Sequence, residues 1–223
     1  MSQHTDCQSS PLVNGTMLER TAELKNGTIV VLRPLQKKDE PLIADLFRGC
    51  TGATLRQRFQ YSFKLTPEWI ANRCQIDRAR EIAIVAEVNG QGIHQLVGLS
   101  RLALSPDNES AEFGILITDN WQGKGLGTLM TRRCLDVARN LGAICVTAIT
   151  TLENRRMIKV FRNEGFLFHY DWANGVIRAR KKLSTPANPP PDSYCNNARL
   201  QTSACAGGRN DVKELRGNSN ICN

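Results

Sequence analysis

The stretch "NWQGKGLGTLMTRR" (residues 120–133) sets glycine at three alternate positions, Gly123, Gly125 and Gly127. Directly behind them Leu126, Met130, Cys134, Val137 and Leu141 recur at the spacing of one apolar helical face. The front of a helix leaves its first amide hydrogens without partners and carries the positive end of the macrodipole, so it attracts anions. Removing Cβ from alternate positions lets an anion come close to those amides. The stretch therefore reads as a phosphate cradle. The plainer alternative, a flexible surface loop, is opposed by the immediate start of the helix and by Lys124, Arg132 and Arg133 beside it.

Three kinds of phosphate loop compete for this pattern. A Walker loop needs Gly-Lys followed by Ser or Thr at the helix start, whereas Gly127 precedes Thr128 with no lysine between. A dinucleotide fingerprint wants Gly or Ala where Thr128 stands, an acidic residue about 20 positions on, and a place in the first strand-turn-helix of the domain. Glu153 comes late for that role, and the loop follows the fourth predicted strand. The third kind, a cradle for the diphosphate of an acyl-CoA, rests on the resemblance of "ILITDNWQGKGLG" to a known family motif.

The elements around the loop must position it. "GTIVVLRPL" (27–35) predicts a strand and "KKDEPLIADLFRGC" a short helix. "TPEWIANRCQ" (66–75), with Thr66 as N-cap and Pro67 at the first helical position, predicts another. "EIAIVAEV" (81–88) and "HQLVGLSRLAL" (94–104) flank the hairpin signal "NGQG", and "SAEFGILIT" (110–118) supplies a third meander strand. After the amphipathic helix, which Gly142 stops, "AICVTAIT" (143–150) predicts a buried strand. A helix from Glu153 to Asn163 and a closing hairpin around "ANG" complete the order. The expected fold is a mixed α/β (α+β) arrangement, antiparallel first, with one crossover unit in the middle.

Residues 1–24 are polar and aperiodic and are expected to form a flexible arm. Residues 183–223, rich in Pro, Asn, Ser and Gly, are expected to form a disordered tail. The domain is placed at 25–182. The formal charge is +8, and the tail, with Arg199, Arg209, Lys213 and Arg216 against Asp192, Asp211 and Glu214, contributes only one of those charges. A basic body implies an anionic partner, which a polyphosphate satisfies; no aromatic-and-basic strand or helix-turn-helix pattern speaks for nucleic acid. No apolar run approaches the length of a membrane span, and no secretory signal is recognised, so a cytoplasmic address is expected. The eight cysteines form no C-x-x-C pair and no zinc-finger spacing, so no metal is expected and free thiols are.

"ILITDNWQGKGLG" resembles the acyl-CoA motif of the GNAT superfamily of N-acyltransferases, carried by Ile117, Gln122, Gly125 and Gly127. "ENRRMIKVFRNEGF" (153–166) is similar to that superfamily's second element, an asparagine leading a helix that closes with Gly-Phe. The resemblance covers residues 27 to 182. Within the superfamily the chain looks most like the GNAT domain of bacterial protein lysine acetyltransferases and of acyl-CoA synthetase-associated acetyltransferases. That likeness rests on "LRPLQKKDEPLI", on "LRQRF" followed by "FKLTPEW" and "CQIDRAREIAIVA", and on "AEFGILITDNWQGKGLG".

The resemblance implies a mainly antiparallel sheet with helices on both faces and a central splay between two parallel strands. It implies acetyl-CoA as cosubstrate. The backbone amides of Gln122, Gly123, Lys124, Gly125, Leu126, Gly127 and Thr128 would hold the pyrophosphate, and the strand edge at Ile115, Leu116 and Ile117 would pair with the pantetheine amides. Asn154 would hydrogen-bond the pantetheine arm, or simply cap its helix, two roles that are compatible. Lys124, Arg155 and Arg156 would meet the 3'-phosphate or merely solvate the surface.

An amine must be neutral to attack a thioester. A lysine side chain lies about 3.4 pH units above neutrality, so deprotonation costs roughly 4.6 kcal/mol unless a base assists. Glu112 opens the strand whose far end meets the cosubstrate, with Gly114 and Leu116 on the same face. A carboxyl among apolar neighbours can be tuned toward a useful base, and the match to "AEF" implies that role. The alternative for Glu112 is a structural ion pair, for instance with Arg101. Many superfamily members carry a tyrosine seven residues after the asparagine to protonate the thiolate; here that place holds Phe161. Water, or less readily Tyr170, is left for the task, and Cys145 as a covalent nucleophile is disfavoured by its place in a buried strand. The first-choice acceptor is a protein lysine. A small amine or protein N-terminus is the second reading, and a non-catalytic acyl-CoA sensor the third; neither nucleic acid nor membrane is expected as a partner, and the oligomeric state stays open.

Overall fold

A computed structural model describes residues 19–61, 64–77, 80–90 and 92–184, with the side chain of Ile93 excepted. Within them β1 (Arg20–Glu23), β2 (Ile29–Pro34), β3 (Glu81–Gly90), β4 (Ile93–Leu104), β5 (Ser110–Ile117), β6 (Cys145–Thr151), β7 (Leu167–Asp171) and β8 (Val176–Lys182) form one sheet. Its spatial order is β1-β2-β3-β4-β5-β6-β8-β7. Every neighbouring pair is antiparallel except β5 and β6. The parallel pair exists because α4 (Leu126–Asn140) carries the chain back along the sheet between them, as a parallel connection requires.

Strand alternation divides the core. On one face β5 offers Ala111 and Phe113 to a cluster with Leu126, Met130, Cys134 and Val137 of α4 and with Phe161 of α5 (Arg155–Asn163). On the other face Leu116 joins Ile43, Leu46 and Phe47 of α1 (Glu40–Arg48) and Ile70 of α3 (Pro67–Cys74). Between α1 and α3 lies α2 (Gly52–Phe59), whose residues approach both β5 and β6. Thr51 caps α2, its hydroxyl accepting from the Thr54 amide, and Gln60 in the left-handed conformation ends it.

Two boundaries differ from expectation. The arm expected over residues 1–24 contains β1, paired in register with β2 from Arg20↔Leu32 to Glu23↔Ile29, and Leu24 behind it is buried. A four-residue polar edge strand has no hydrophobic period to announce it. At the other end Leu183 is still buried and its amide donates to the Ile144 carbonyl. Residues 1–18 and 185–223, the rest of the expected arm and tail, lie outside the described residues. Among the described residues no helix is long and apolar enough to cross a membrane, no cluster of His, Cys, Asp and Glu is placed to hold a metal ion, and Cys50, Cys74, Cys134 and Cys145 are free thiols.

Candidate active site

Strands β5 and β6 pair over only four positions, Ser110↔Cys145 to Phe113↔Ala148. Beyond Phe113 they part. β5 keeps its antiparallel ladder to β4 as far as Ile117↔Gly98, and β6 keeps its ladder to β8 as far as Thr151↔Val176. The sheet is therefore split from the middle to one end, and the β5 and β6 edges that face the gap carry backbone groups with no strand partner there. A cavity of about 350 Å³ fills the gap. Gly114, Ile115, Leu116 and Ile117 line it from β5, and Ile149 and Thr150 from β6.

One end of the cleft is the head of α4. Gly123 and Gly125 have φ of 78° and 93°, left-handed values that glycine adopts without strain, and Gly125 is the N-cap of α4. Among the described residues, the amides of residues 123–128 donate no hydrogen bond within the protein. Gly123, Gly125, Gly127 and Thr128 line the cleft with Gln122. A run of unused donors at a fifteen-residue helix's positive end, with Lys25, Arg156 and Lys159 around it, suits a multiply charged phosphate ligand.

Gln122 holds this end in place. Its amide nitrogen donates to the Ile117 carbonyl at 3.1 Å and to Asp119 Oδ1 at 3.0 Å, and its oxygen accepts from Arg156 at 2.7 Å. Asp119 also accepts from the Thr51 amide and the Thr54 hydroxyl, and these hydrogen bonds outweigh burial to hold its carboxyl below the usual range. Burial alone would have raised it. The loop is thus pinned to β5, α2 and α5 together.

The other expected residues divide. The Lys124 Nζ lies 4.5 Å from the centre of the Trp121 ring, and Leu126 is fully buried as the first member of the apolar stripe of α4, so that Leu126 can offer a ligand only its backbone. Asn154 lines the cleft and caps α5, its Oδ1 accepting from the Met157 amide at 3.1 Å and its Nδ2 donating to Thr150 Oγ1 at 2.9 Å. Arg155 lies beside the cleft, in the shallow pocket shared with Asp119 and Glu153. Phe161 lines the cleft, buried between Phe113 and Phe166, so no hydroxyl stands there. Tyr170 stacks on Trp172 out on the edge strand β7 and is not among the residues of the cleft. Cys145 is buried at the start of β6, outside the cleft as well.

Glu112 stands on the face of β5 shared with Gly114 and Leu116, one strand repeat (about 7 Å) from the cleft-lining Gly114. Its side chain is exposed, not packed among apolar groups as expected, because the helices on that face cover Leu116 but not the start of the strand. Nor does it pair with Arg101. The register sets Arg101 opposite Gly114, and its guanidinium goes to Glu81 at 3.5 Å.

Residues the sequence reading did not single out also line the cleft. Lys25, in the turn after β1, donates its amide to the Lys124 carbonyl at 3.4 Å and lays its aliphatic stem over Gly125. Thr54, Gln57 and Arg58 come from α2, and Met157, Lys159 and Val160 from α5. The side-chain contribution of α5 was legible in its period, since i, i+3 and i+4 positions share a face.

Residues 30–167 match the family model described as "Acetyltransferase (GNAT) domain". This chain belongs to the GNAT acetyltransferase family. The Pseudomonas aeruginosa protein named Acetyltransferase PA5475 is 30% identical over 149 residues, which cover 66% of this chain and 80% of that one. Among solved structures, the GNAT domain of S. lividans PAT shares the fold with a TM-score of 0.66 at 20% identity, covering 74% of this chain and 97% of its own. RimL, a ribosomal L7/L12 alpha-N-protein acetyltransferase in complex with coenzyme A, does so with a TM-score of 0.59 at 16% identity over 70% and 96%. The GNAT chain is accordingly an acyltransferase that uses acetyl-CoA, the sheet split and the unfilled amides of residues 123–128 fitting that cosubstrate.

Proposed function

We propose that this GNAT acetyltransferase acetylates an amine, first a protein lysine, with Glu112 as the base that removes the amine proton. The observation that carries the reading is the position of Glu112, exposed to an incoming amine and on the same face of the same strand as the cleft-lining Gly114. Bound acetyl-CoA supplies an activated acyl group. The residues 123–128 hold its charged end by their amides, and the open edges of Gly114–Ile117 and Ile149–Thr150 orient the arm that reaches toward Gly114. Glu112 takes the proton as the amine nitrogen bonds to the thioester carbon and the carbon–sulfur bond breaks. The apolar wall of Phe161 and Phe113 offers no acid, so the departing thiolate, a good leaving group, takes its proton from water.

The exposure of Glu112 favours a long, mobile side chain such as lysine, which needs no enclosed acceptor pocket. A protein N-terminus is the second reading, supported by the fold shared with RimL. Glu112→Gln tests the role of Glu112. Turnover, followed by release of the free CoA thiol, is expected to fall by about 10²-fold or more, the usual contribution of a positioned base, while acetyl-CoA affinity is retained. A variant that keeps wild-type turnover removes Glu112 from the mechanism.

A further inference from the structure

A cation that lines the cleft makes no hydrogen bond and no ion pair among the described residues. Arg58, on the last turn of α2, lines the cavity where β5 and β6 separate. Its guanidinium lies over the face of the Phe59 ring, 4.9 Å from the centroid. It lies directly over Gly114, so closely that a Cβ at position 114 would collide with it. Burial pushes the guanidinium down to about 10, the Glu112 charge offsets this in part, and Arg101 and Arg73 add to the lowering. It remains charged at neutral pH. With Glu112 the main compensating charge but no ion pair to it among the described residues, the guanidinium keeps its donors for an anion that enters the cleft.

A second observation lies next to the first. Arg58, Gly114 and Leu116 also line a small pocket of about 20 Å³, the room of a single water-sized group, with Arg73 and Arg101 on its wall. Arg101 stands opposite Gly114 in the β4–β5 register, and its Nε is buried with no hydrogen-bond partner among the described residues. Beside Gly114, then, Arg58 keeps its donors unspent, and Arg101, whose other nitrogens go to Glu81 and to the Arg73 carbonyl, keeps its buried Nε. They are not at the phosphate end: Gly114 is three residues, about 10 Å, along β5 from Ile117, the residue nearest Gly127. They are where the acceptor must arrive, one strand repeat from Glu112.

We propose that Arg58, backed by Arg101, is the anion anchor of the acceptor site, and that the acceptor is an amine with a carboxylate close to its amino group. This deepens the acetyltransferase reading of the cleft and rests on it. A guanidinium binds a carboxylate through paired, charge-assisted hydrogen bonds, which fix direction as well as position. The carboxylate held at Gly114 leaves the amino group between Glu112 and the open strand edge. The same chemistry has two sources, a free amino acid or an acidic segment of a protein around its lysine.

Matched acceptors separate them. The thiol-release assay is run with an amino acid against its carboxamide, and with a lysine peptide flanked by glutamates against the same peptide flanked by glutamines. In one of the two pairs the acidic member is expected to have a kcat/KM at least about tenfold higher, as sites built around a polar partner discriminate. Arg58→Gln is expected to bring that ratio below twofold through the KM of the acceptor, and Arg58→Lys to keep part of it. Equal kcat/KM within both pairs for the wild type, or an equal loss on both members in Arg58→Gln, overturns the inference while leaving the acetyltransferase reading intact. Absence of any acetyl-CoA shift in the wild type removes the cleft reading and this inference together.

Discussion

The three glycines of the loop do different work, and substituting alanine separates backbone strain from anion access. Gly125 is left-handed and caps α4, and an added Cβ would touch only the stem of Lys25 at 3.5 Å. The damage of Gly125→Ala is therefore conformational, about 1 kcal/mol or somewhat more for a non-glycine in that region. Gly127 has ordinary helical backbone, and its added Cβ would meet Ile117 Cδ1 at 3.5 Å, a normal contact. Gly127→Ala should leave the fold as stable or gain up to about 1 kcal/mol from helix propensity. Yet both methyl groups narrow the approach to the amides of residues 123–128. The expected outcome is a lowered Tm for Gly125→Ala alone, with a weaker acetyl-CoA Kd, by about tenfold, for both. Denaturation and ligand titration of the two variants check this, and a Gly127→Ala protein that binds normally shows that the amides beside Gly127 are not the contact. At this scale the sequence showed the glycines, Gln122 and Asn154, because each has a local motif. It hid Arg58 and Lys25, whose membership of the site depends on where α2 and the β1 turn are folded.

The elements that carry the site depend on a buried charge network remote from it. Arg33 of β2 binds Asp39, just ahead of α1, through two nitrogens at 2.7 and 2.9 Å and binds Glu87 of β3 through Nε. Asp39 is 1% exposed and also accepts from the Gln36 amide at 2.8 Å, closing the turn that launches α1. Burial pushes both carboxyls up most strongly of any single cause, but the hydrogen bond and charge of Arg33, with the Gln36 amide on Asp39 and the Asn89 amide on Glu87, together outweigh it, and both are held below their ordinary values, 3.8 for aspartate and 4.5 for glutamate. A depressed carboxylate stabilises the fold above its unfolded value, and that contribution disappears as pH falls through the folded one. Urea midpoints are thus expected to be level from pH 7 to about 5 and to drop below 4.5, with the drop reduced in Asp39→Asn. Asp39→Ala strands half of Arg33's charge and is expected to destabilise by about 3 kcal/mol at pH 7. A pH-independent midpoint would deny the network its role. The strong elements around it were readable from sequence: the β3–β4 hairpin by its turn, α3 by Thr66 and Pro67, α4 by its stripe. α2 was not, since "GATLRQRF" buries no residue fully and shows no apolar period, its cap at Thr51 being the one local signal.

On the scale of the molecule, the sheet is two ladders held by the four-position β5–β6 pairing on one side and by covering helices. β1 to β5 form one continuous antiparallel set, and β6, β8 and β7 the other. Such a split makes Gly114–Ile117 and Ile149–Thr151 the segments whose protection depends on what lies between them. A ligand that bonds to both edges acts as a missing strand, joining the ladders without any new protein contact. Acetyl-CoA at a hundred times its Kd should stabilise the fold by about 2.7 kcal/mol, but the location of the gain is the sharper test. Hydrogen exchange is expected to slow at both parted segments and at residues 123–128, while β2 and β3, far from the split, change least. Protection confined to residues 123–128 would mean that the cosubstrate is held by its phosphates alone and that the open strand edges take no part. Slowing across β6 to β8 as a block would show the second ladder closing on the first, so that the cleft tightens around the acyl group only when the cosubstrate is bound.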